Sequence, residues 1–181
     1  MSEWVIYWTS PSQAWKIPEV ATPDSRPSPP QLDAADVVVG VVSARWNNDI
    51  VDRLTAGAHR AIGATGAMAH VASAPGAFEL PFVARLLIES GEVDAVVVLG
   101  AVIRGETTHY ELVSQGCAQG IMQVQIATGI PIGMGILTVE NMSQALARSE
   151  PAGGHNVGEE ATLAAIEMAL LAERTRVSLA G

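Results

Sequence analysis

The sequence predicts an α/β protein with a four-stranded parallel sheet between two layers of helices. Three observations carry that expectation. Val37-Val38-Val39-Gly40-Val41-Val42 and Asp94-Ala95-Val96-Val97-Val98-Leu99-Gly100 are apolar runs without alternation, the pattern of strands covered on both faces. Segments with apolar residues at helical spacing separate the expected strands. The connections are short, so the order βαβαβαβαα implies crossover helices on both faces of the sheet, with right-handed turns.

The first strand covers residues 37–42. A helix over 48–64 follows, with Ile50, Leu54, Ala58 and Ala61 along one side and Gly66 as its stop. Residues 68–74 read as the second strand, and 78–90 as a helix whose Leu80, Val83, Leu86 and Leu87 share a side. The third strand, over 94–100, is the clearest buried strand in the chain. A long helix over 108–127 and a strand over 131–137 come next. Two helices, over 141–148 and 157–174, are separated by the breaker Pro151-Ala152-Gly153-Gly154.

Ahead of this pattern lies a different composition. Six of the ten prolines and three of the four tryptophans fall in residues 1–30, a mixture that holds no helix and lacks strand periodicity. Residues 1–36 therefore read as a Pro/Trp-rich N-terminal extension and 37–181 as the folded domain. The aromatics Trp4, Tyr7, Trp8 and Trp15 belong either to a partly ordered tail or to a patch that docks on a partner.

With 181 residues, 49% of them apolar, the chain is long enough to bury a core without staples. The single cysteine, Cys117, argues against a disulfide framework or a multi-cysteine metal site. A net charge of −9, with nine Arg and Lys16 as the only cations, argues against nucleic acid or an anionic membrane as a general partner. Any phosphorylated ligand must then be held by a local device. No run reaches the roughly 18 apolar residues of a membrane span, and Trp4-Val5-Ile6-Tyr7-Trp8 is too short for a signal core. The expected location is cytoplasmic.

Ligands of open parallel sheets bind beyond the carboxyl ends of the strands, which directs attention to the segments that follow them. After the first strand, Trp46 can stack on a flat heterocycle or fill the core, and Asn47 can hold the turn through its own backbone. After the second, Pro75 and Gly76 bend the chain ahead of Ala77, Phe78 and Glu79. Glu79 either serves the helix dipole or accepts hydrogen bonds from ligand hydroxyls. After the third come Ala101-Val102-Ile103-Arg104-Gly105-Glu106-Thr107-Thr108-His109. Gly105 and the two threonines at a helix start present N–H groups and hydroxyls to an anion, and His109 stands beside them as a side chain able to exchange a proton near neutrality. Arg148 is either a solvated cation at a helix end or a phosphate clamp. His59 and His70 lack ligand-spaced partners, and mid-helix Cys117 reads as a small buried hydrophobe.

Arg45-Trp46-Asn47, Pro75-Gly76-Ala77-Phe78-Glu79-Leu80-Pro81, Leu99-Gly100-Ala101-Val102-Ile103-Arg104-Gly105 with Thr107-Thr108-His109-Tyr110, and Gly135-Ile136-Leu137-Thr138 with Asn141 and Gln144-Ala145 occur in an order that resembles the 6,7-dimethyl-8-ribityllumazine synthase family, from about Val37 to Leu171. The resemblance implies a flavodoxin-like fold and a transferase of riboflavin biosynthesis. The implied reaction condenses 5-amino-6-(D-ribitylamino)uracil with 3,4-dihydroxy-2-butanone 4-phosphate, releasing phosphate and water. It implies no metal, no cofactor, and active sites between the subunits of a homopentamer. Trp46 and Asn47, Ala77, Phe78 and Glu79, and Ala101, Val102 and Ile103 match positions that bind the pyrimidine and its ribityl chain. Gly105, Glu106 and Thr107 match the phosphate-binding turn, and His109 the proton-transfer residue. Met134 and Arg148 match positions that a neighbouring subunit supplies.

Three positions depart from the family pattern. Val157 follows Asn156 where a Lys is usual, Met134 stands where an aromatic is common, and Glu106 puts a carboxylate in the phosphate turn, so it must point outward. A lumazine- or riboflavin-binding protein with little turnover, or an assembly protein of the same fold, remains the alternative. A flavodoxin-like electron carrier fits less well, because the first strand is not followed by a Ser/Thr/Gly-rich phosphate loop. The link Pro151-Ala152-Gly153-Gly154-His155-Asn156 resembles that of members that stop at the pentamer.

Overall fold

The computed structural model describes residues 31–180. Most of the Pro/Trp-rich extension, residues 1–30, lies outside the described residues. The elements are β1 (Val38–Ala44), α1 (Asn48–Thr65), β2 (Met68–Ala74), a 3₁₀ turn (Ala77–Glu79), α2 (Leu80–Glu89), β3 (Ala95–Ile103), α3 (His109–Thr128), β4 (Ile132–Val139), α4 (Met142–Leu146) and α5 (Val157–Ala180). The four strands form one sheet in the order β2-β1-β3-β4, and every pairing is parallel. This is a flavodoxin-like α/β arrangement.

Burial follows from position in the sheet. β1 and β3 are central, and their valines are covered from both sides. Val39, Val41, Val97 and Leu99 pack with Ile50 and Leu54 of α1 and Ile166 of α5. Val42, Val96 and Val98 face the other way, onto Leu80 and Ala84 of α2 and Cys117 and Ile121 of α3. The β-branched runs are therefore explained by two cores sharing one sheet. β2 is an outer strand, and Met68 and Val71 on it are more than half exposed.

Several boundaries differ from the sequence-based expectation, each for a physical reason. β3 does not stop at Gly100. Its ladder with β4 continues from Val96↔Ile132 to Ile103↔Val139, and Gly100 meets a need for space, since a Cβ there would lie 3.3 Å from Leu80 Cδ1. The second helix begins at Leu80 and not at Phe78, because Ala77–Glu79 form a tighter 3₁₀ turn ahead of Pro81 in the first turn of α2. α5 extends past Arg174 to Ala180. Gly66 ends α1 in the left-handed conformation at φ 76°, where a side chain would be strained. Ala34, buried against the core, donates its N–H to the Thr65 carbonyl at 2.9 Å. Packing against the core thus includes residues ahead of β1.

The first half of α1 and the start of α5 are linked by the Asn156 side chain. Asn156, 2% exposed, donates from Nδ2 to the carbonyls of Arg53 (3.0 Å) and Glu150 (2.9 Å), and its Oδ1 accepts from the Glu159 N–H at 3.2 Å. Gly57 and Gly158 let the helices approach there, since a Cβ on Gly158 would lie 2.2 Å from the Leu54 carbonyl oxygen. Val157, next to Asn156, packs against the α1/α5 core.

Candidate active site

The chain passes from β1 outward to β2 and then returns to the other side of β1 to form β3. At such a reversal the loops after β1 and β3 leave in opposite directions and open a crevice at the carboxyl ends. A pocket of about 630 Å³ lies there, lined by Trp46 and Asn47 after β1, Gly76–Glu79 after β2, Ala101–Ile103 at the end of β3, and His109, Leu112 and Val113 on α3.

Trp46 is 74% exposed, so it is not the core residue that its apolar character allowed. Its position is fixed by Asn47, the only non-glycine among the described residues with positive φ, at 57°. The Asn47 carbonyl starts α1 by accepting from Ile50 N–H (3.0 Å) and Val51 N–H (3.1 Å). Contrary to the expectation from sequence, its side chain does not bond its own turn. It reaches across to β3 and donates from Nδ2 to the Ala101 carbonyl at 2.7 Å. That bond ties the Trp46 loop to the end of β3.

Gly76 has extended backbone (φ −149°, ψ −178°), so its lack of a side chain serves space and not conformation. A Cβ would lie 3.2 Å from Glu79 Oε2 and 3.3 Å from Trp46 Cδ1. The carboxylate and the indole therefore stand on either side of a gap that Gly76 leaves open. Phe78 packs against α3, where a Cβ on Gly116 would come within 2.6 Å of Phe78 Cε2. Behind the pocket wall, burial pushes the Cys117 thiol up to about 12, with the negative charge of Glu79 adding to the effect. A thiol held this way stays protonated and packs as a hydrophobe.

Nine of the sequence-derived candidates, Trp46, Asn47, Ala77, Phe78, Glu79, Ala101, Val102, Ile103 and His109, line this one pocket. Gly105, Glu106 and Thr107 are exposed in the loop that leads from β3 to His109, off the pocket wall. Thr107 Oγ1 accepts from the His109 N–H at 3.4 Å. Met134 lies on the outer strand β4, and Arg148 follows α4, where its Nη1 donates to the Gln144 carbonyl at 3.0 Å. Neither lines the pocket of its own chain. Sequence reasoning missed Gly76, Leu112 and Val113 as pocket residues. Leu112 and Val113 stand three and four positions after His109, the spacing that places helical residues on one face, and this was the available signal.

The pocket thus offers a flat aromatic, a carboxylate, an imidazole and the backbone of a strand end, within mostly apolar walls. Such a set fits a planar heterocycle that carries hydroxyls. A model of the family described as 6,7-dimethyl-8-ribityllumazine synthase matches residues 36–173. The chain belongs to that family. Among the relatives of this synthase family, the 6,7-dimethyl-8-ribityllumazine synthase of Deinococcus deserti is 47% identical over 140 residues, covering 75% of this chain and 88% of that protein. That of Deinococcus radiodurans is 47% identical over 144 residues, covering 77% and 92%. That of Methylobacterium radiotolerans is 43% identical over 155 residues, covering 84% and 94%. Among the described residues, no helix of this synthase family member is long and apolar enough to cross a membrane.

Proposed function

We infer that this protein is a transferase that condenses 5-amino-6-(D-ribitylamino)uracil with 3,4-dihydroxy-2-butanone 4-phosphate to 6,7-dimethyl-8-ribityllumazine, releasing phosphate and water. The observation that carries this reading is the convergence of Trp46, Glu79, the end of β3 and His109 on one pocket in a chain of the lumazine synthase family. Trp46 stacks on the pyrimidine, with Phe78 and Ala77 beside it. Backbone groups of Ala101, Val102 and Ile103 read the heterocycle edge, and Glu79 accepts hydrogen bonds from the ribityl hydroxyls. Asn47 acts from the base of the same loop.

The two substrates carry the intrinsic chemistry. The aromatic amine adds to the ketone and water leaves to give an imine. Phosphate is then eliminated, and the ribityl-bearing nitrogen closes the ring with loss of further water. Each step moves protons, so orientation and one general acid/base supply most of the acceleration. His109 is that group. Gly105, Glu106 and Thr107 form the turn that receives the phosphate, with the exposed Glu106 side chain directed away from it.

The lining of the pocket contains no Lys or Arg, and a phosphate dianion requires a cation. Arg148 of a neighbouring subunit meets that need, with Met134 from the same neighbour closing the heterocycle side. Exposed Phe82 and Leu86 on α2 and Met122 and Ile126 on α3 provide apolar area for a homopentamer, the assembly this reading requires. The reaction uses cytoplasmic metabolites, in keeping with a single free thiol. Mixing both substrates with purified protein and following lumazine absorbance and fluorescence tests the reading. Product formation supports it, while tight flavin binding without product would identify a binding protein instead. Sedimentation velocity separates a pentamer from a decamer or a sixty-subunit shell.

A further inference from the structure

Arg104 stands between the end of β3 and the proposed phosphate turn, and no role has yet been given to it. Its backbone N–H closes the β3/β4 ladder on the Val139 carbonyl at 2.9 Å. Its side chain then divides. Nε lies 2.8 Å from the carboxylate of Glu140, just beyond β4, and Nη1 donates to Glu111 in the first turn of α3. The guanidinium also sits 4.0 Å over the ring of Tyr110. Glu111 and Tyr110 are the two residues that follow His109, so the contacts of Arg104 flank the imidazole-bearing turn.

The other branch leads elsewhere. The Glu140 N–H donates to Gln144 Oε1 at 3.0 Å, and the Gln144 N–H donates to Asn141 Oδ1 at 3.0 Å, capping α4. The Gln144 carbonyl in turn accepts from Arg148 Nη1 at 3.0 Å. A set of polar contacts therefore runs from the start of α3 through Arg104 to Arg148, passing from the Glu140 carboxylate to Gln144 by way of the Glu140 backbone N–H and on to Arg148 through the Gln144 backbone carbonyl. The loop between has little to hold itself: Gly105, Glu106 and Thr107 are exposed, and Thr108 makes no side-chain cap.

We propose that Arg104 is a positioning residue for two groups at once, fixing His109 in its own pocket through Glu111 and Tyr110, and fixing Arg148 for the pocket of the next subunit through Glu140. The proposal builds on the function proposed above. Forked guanidinium geometry is required because one side chain must hold two carboxylates in different directions. Arg104 is consequently not available as the phosphate cation. Its pairing also holds the Glu111 carboxyl below the usual carboxylate range, so that arm is intact at neutral pH.

The two arms predict different kinetic signatures. Glu111→Gln should lower kcat with both KM values within about twofold, because a misplaced imidazole slows chemistry and not binding. Glu140→Gln should raise KM for the butanone phosphate several-fold, with kcat and the KM for the ribitylaminouracil near wild type. Arg104→Gln should combine both, with kcat lower by about tenfold to a hundredfold, the scale of a small displacement in a reacting group. Arg85→Gln, which breaks the exposed Arg85–Glu89 pair on α2, is the control and should leave both constants unchanged.

The proposal is overturned if Arg104→Gln retains wild-type constants, or if Glu111→Gln and Glu140→Gln show the same profile. Should Arg104→Gln fail to fold, the two single-arm variants still decide it. Wild-type enzyme is assayed first, and a lack of product would count against the functional reading alone. In that case binding of inorganic phosphate, measured by calorimetry, supports the positioning role if Glu140→Gln weakens it, and overturns that role if binding is equal to wild type.

Discussion

Helices α1 and α3 have similar lengths, 18 and 20 residues, yet α1 buries eight residues and α3 only Cys117 and Ile121. α1 places Ile50, Leu54, Ala58 and Ala61 in one stripe against the sheet and turns Asp52, Arg53 and His59 to solvent. α3 spreads its apolar residues around the helix: Leu112 lines the pocket, Gly116 and Gly120 receive Phe78 and Pro81, and Met122 and Ile126 are exposed. A helix whose partners adjoin on one side, as the sheet and α5 do for α1, has one stripe. A helix asked to meet a sheet, a pocket, a neighbouring turn and a further surface has none, and changes along α3 should therefore act on function where changes along α1 act on stability.

The largest expected effect breaks chemistry at the start of α3. His109→Ala should lower turnover by about 10²- to 10⁴-fold, the usual contribution of a general acid/base, while calorimetric affinity for the ribitylaminouracil changes little. An unchanged rate would remove His109 from the mechanism. On α1, Leu54→Ala should cost about 2–5 kcal/mol in denaturant unfolding, as for other fully buried leucines. The rate of the folded fraction should stay at the wild-type value, and a matching fall in kcat would blur the contrast between the helices.

A subtler change on α3 separates packing from site geometry. Gly116→Ala places a methyl group against the Phe78 ring and should cost about 1–3 kcal/mol by overpacking, with a raised KM for the ribitylaminouracil. Adding Phe78→Leu should recover the stability, and no recovery would show that the strain lies elsewhere. The last effect, absent at neutral pH, concerns Cys117. Its thiol ionises in the unfolded chain near the ordinary value of 9 but only at about 12 in the fold, so the folded state holds a proton that the unfolded state has released. Stability should therefore be unaffected below pH 9 and should fall as pH rises towards 12, with a slope of up to about 1.4 kcal/mol per pH unit. Cys117→Ala should remove that slope. Equal alkaline slopes for the two proteins would assign the loss to other groups.

The contrast between the helices also explains what was legible in the sequence. Two central strands and α1 each have a single periodic reason for their apolar residues, and their pattern shows in the residues alone. The pocket segments after β1 and β2 were found because a Trp, a Pro-Gly bend and a Glu are unusual at strand ends. The continuation of β3 past Gly100 was not legible because a glycine marks either a chain break or a lack of space, and only the packed Leu80 tells which. Leu112 and Val113 were hidden because α3 has no single stripe against which a pocket-facing residue stands out. The bond from Asn47 to Ala101 joins residues 54 positions apart, and pairing at that distance in sequence is set by topology, not by local propensity.

Asn156 carries a consequence for the segment before it. Its amide bonds the Glu150 carbonyl and the α1 backbone, and Ser149 and Asn156 form an antiparallel bridge, so the stretch Glu150–His155 is a ring closed at its base. Both strands of that base are fixed by other contacts than those of the ring itself. Residues spliced in near Ala152 would replace the turn in which the Gly154 N–H donates to the Pro151 carbonyl at 3.0 Å, and closing a flexible arc of twice the length costs only about 0.6 kcal/mol more. The molecule thus contains a natural insertion point whose spacing can be tuned while the helices on either side keep their registry.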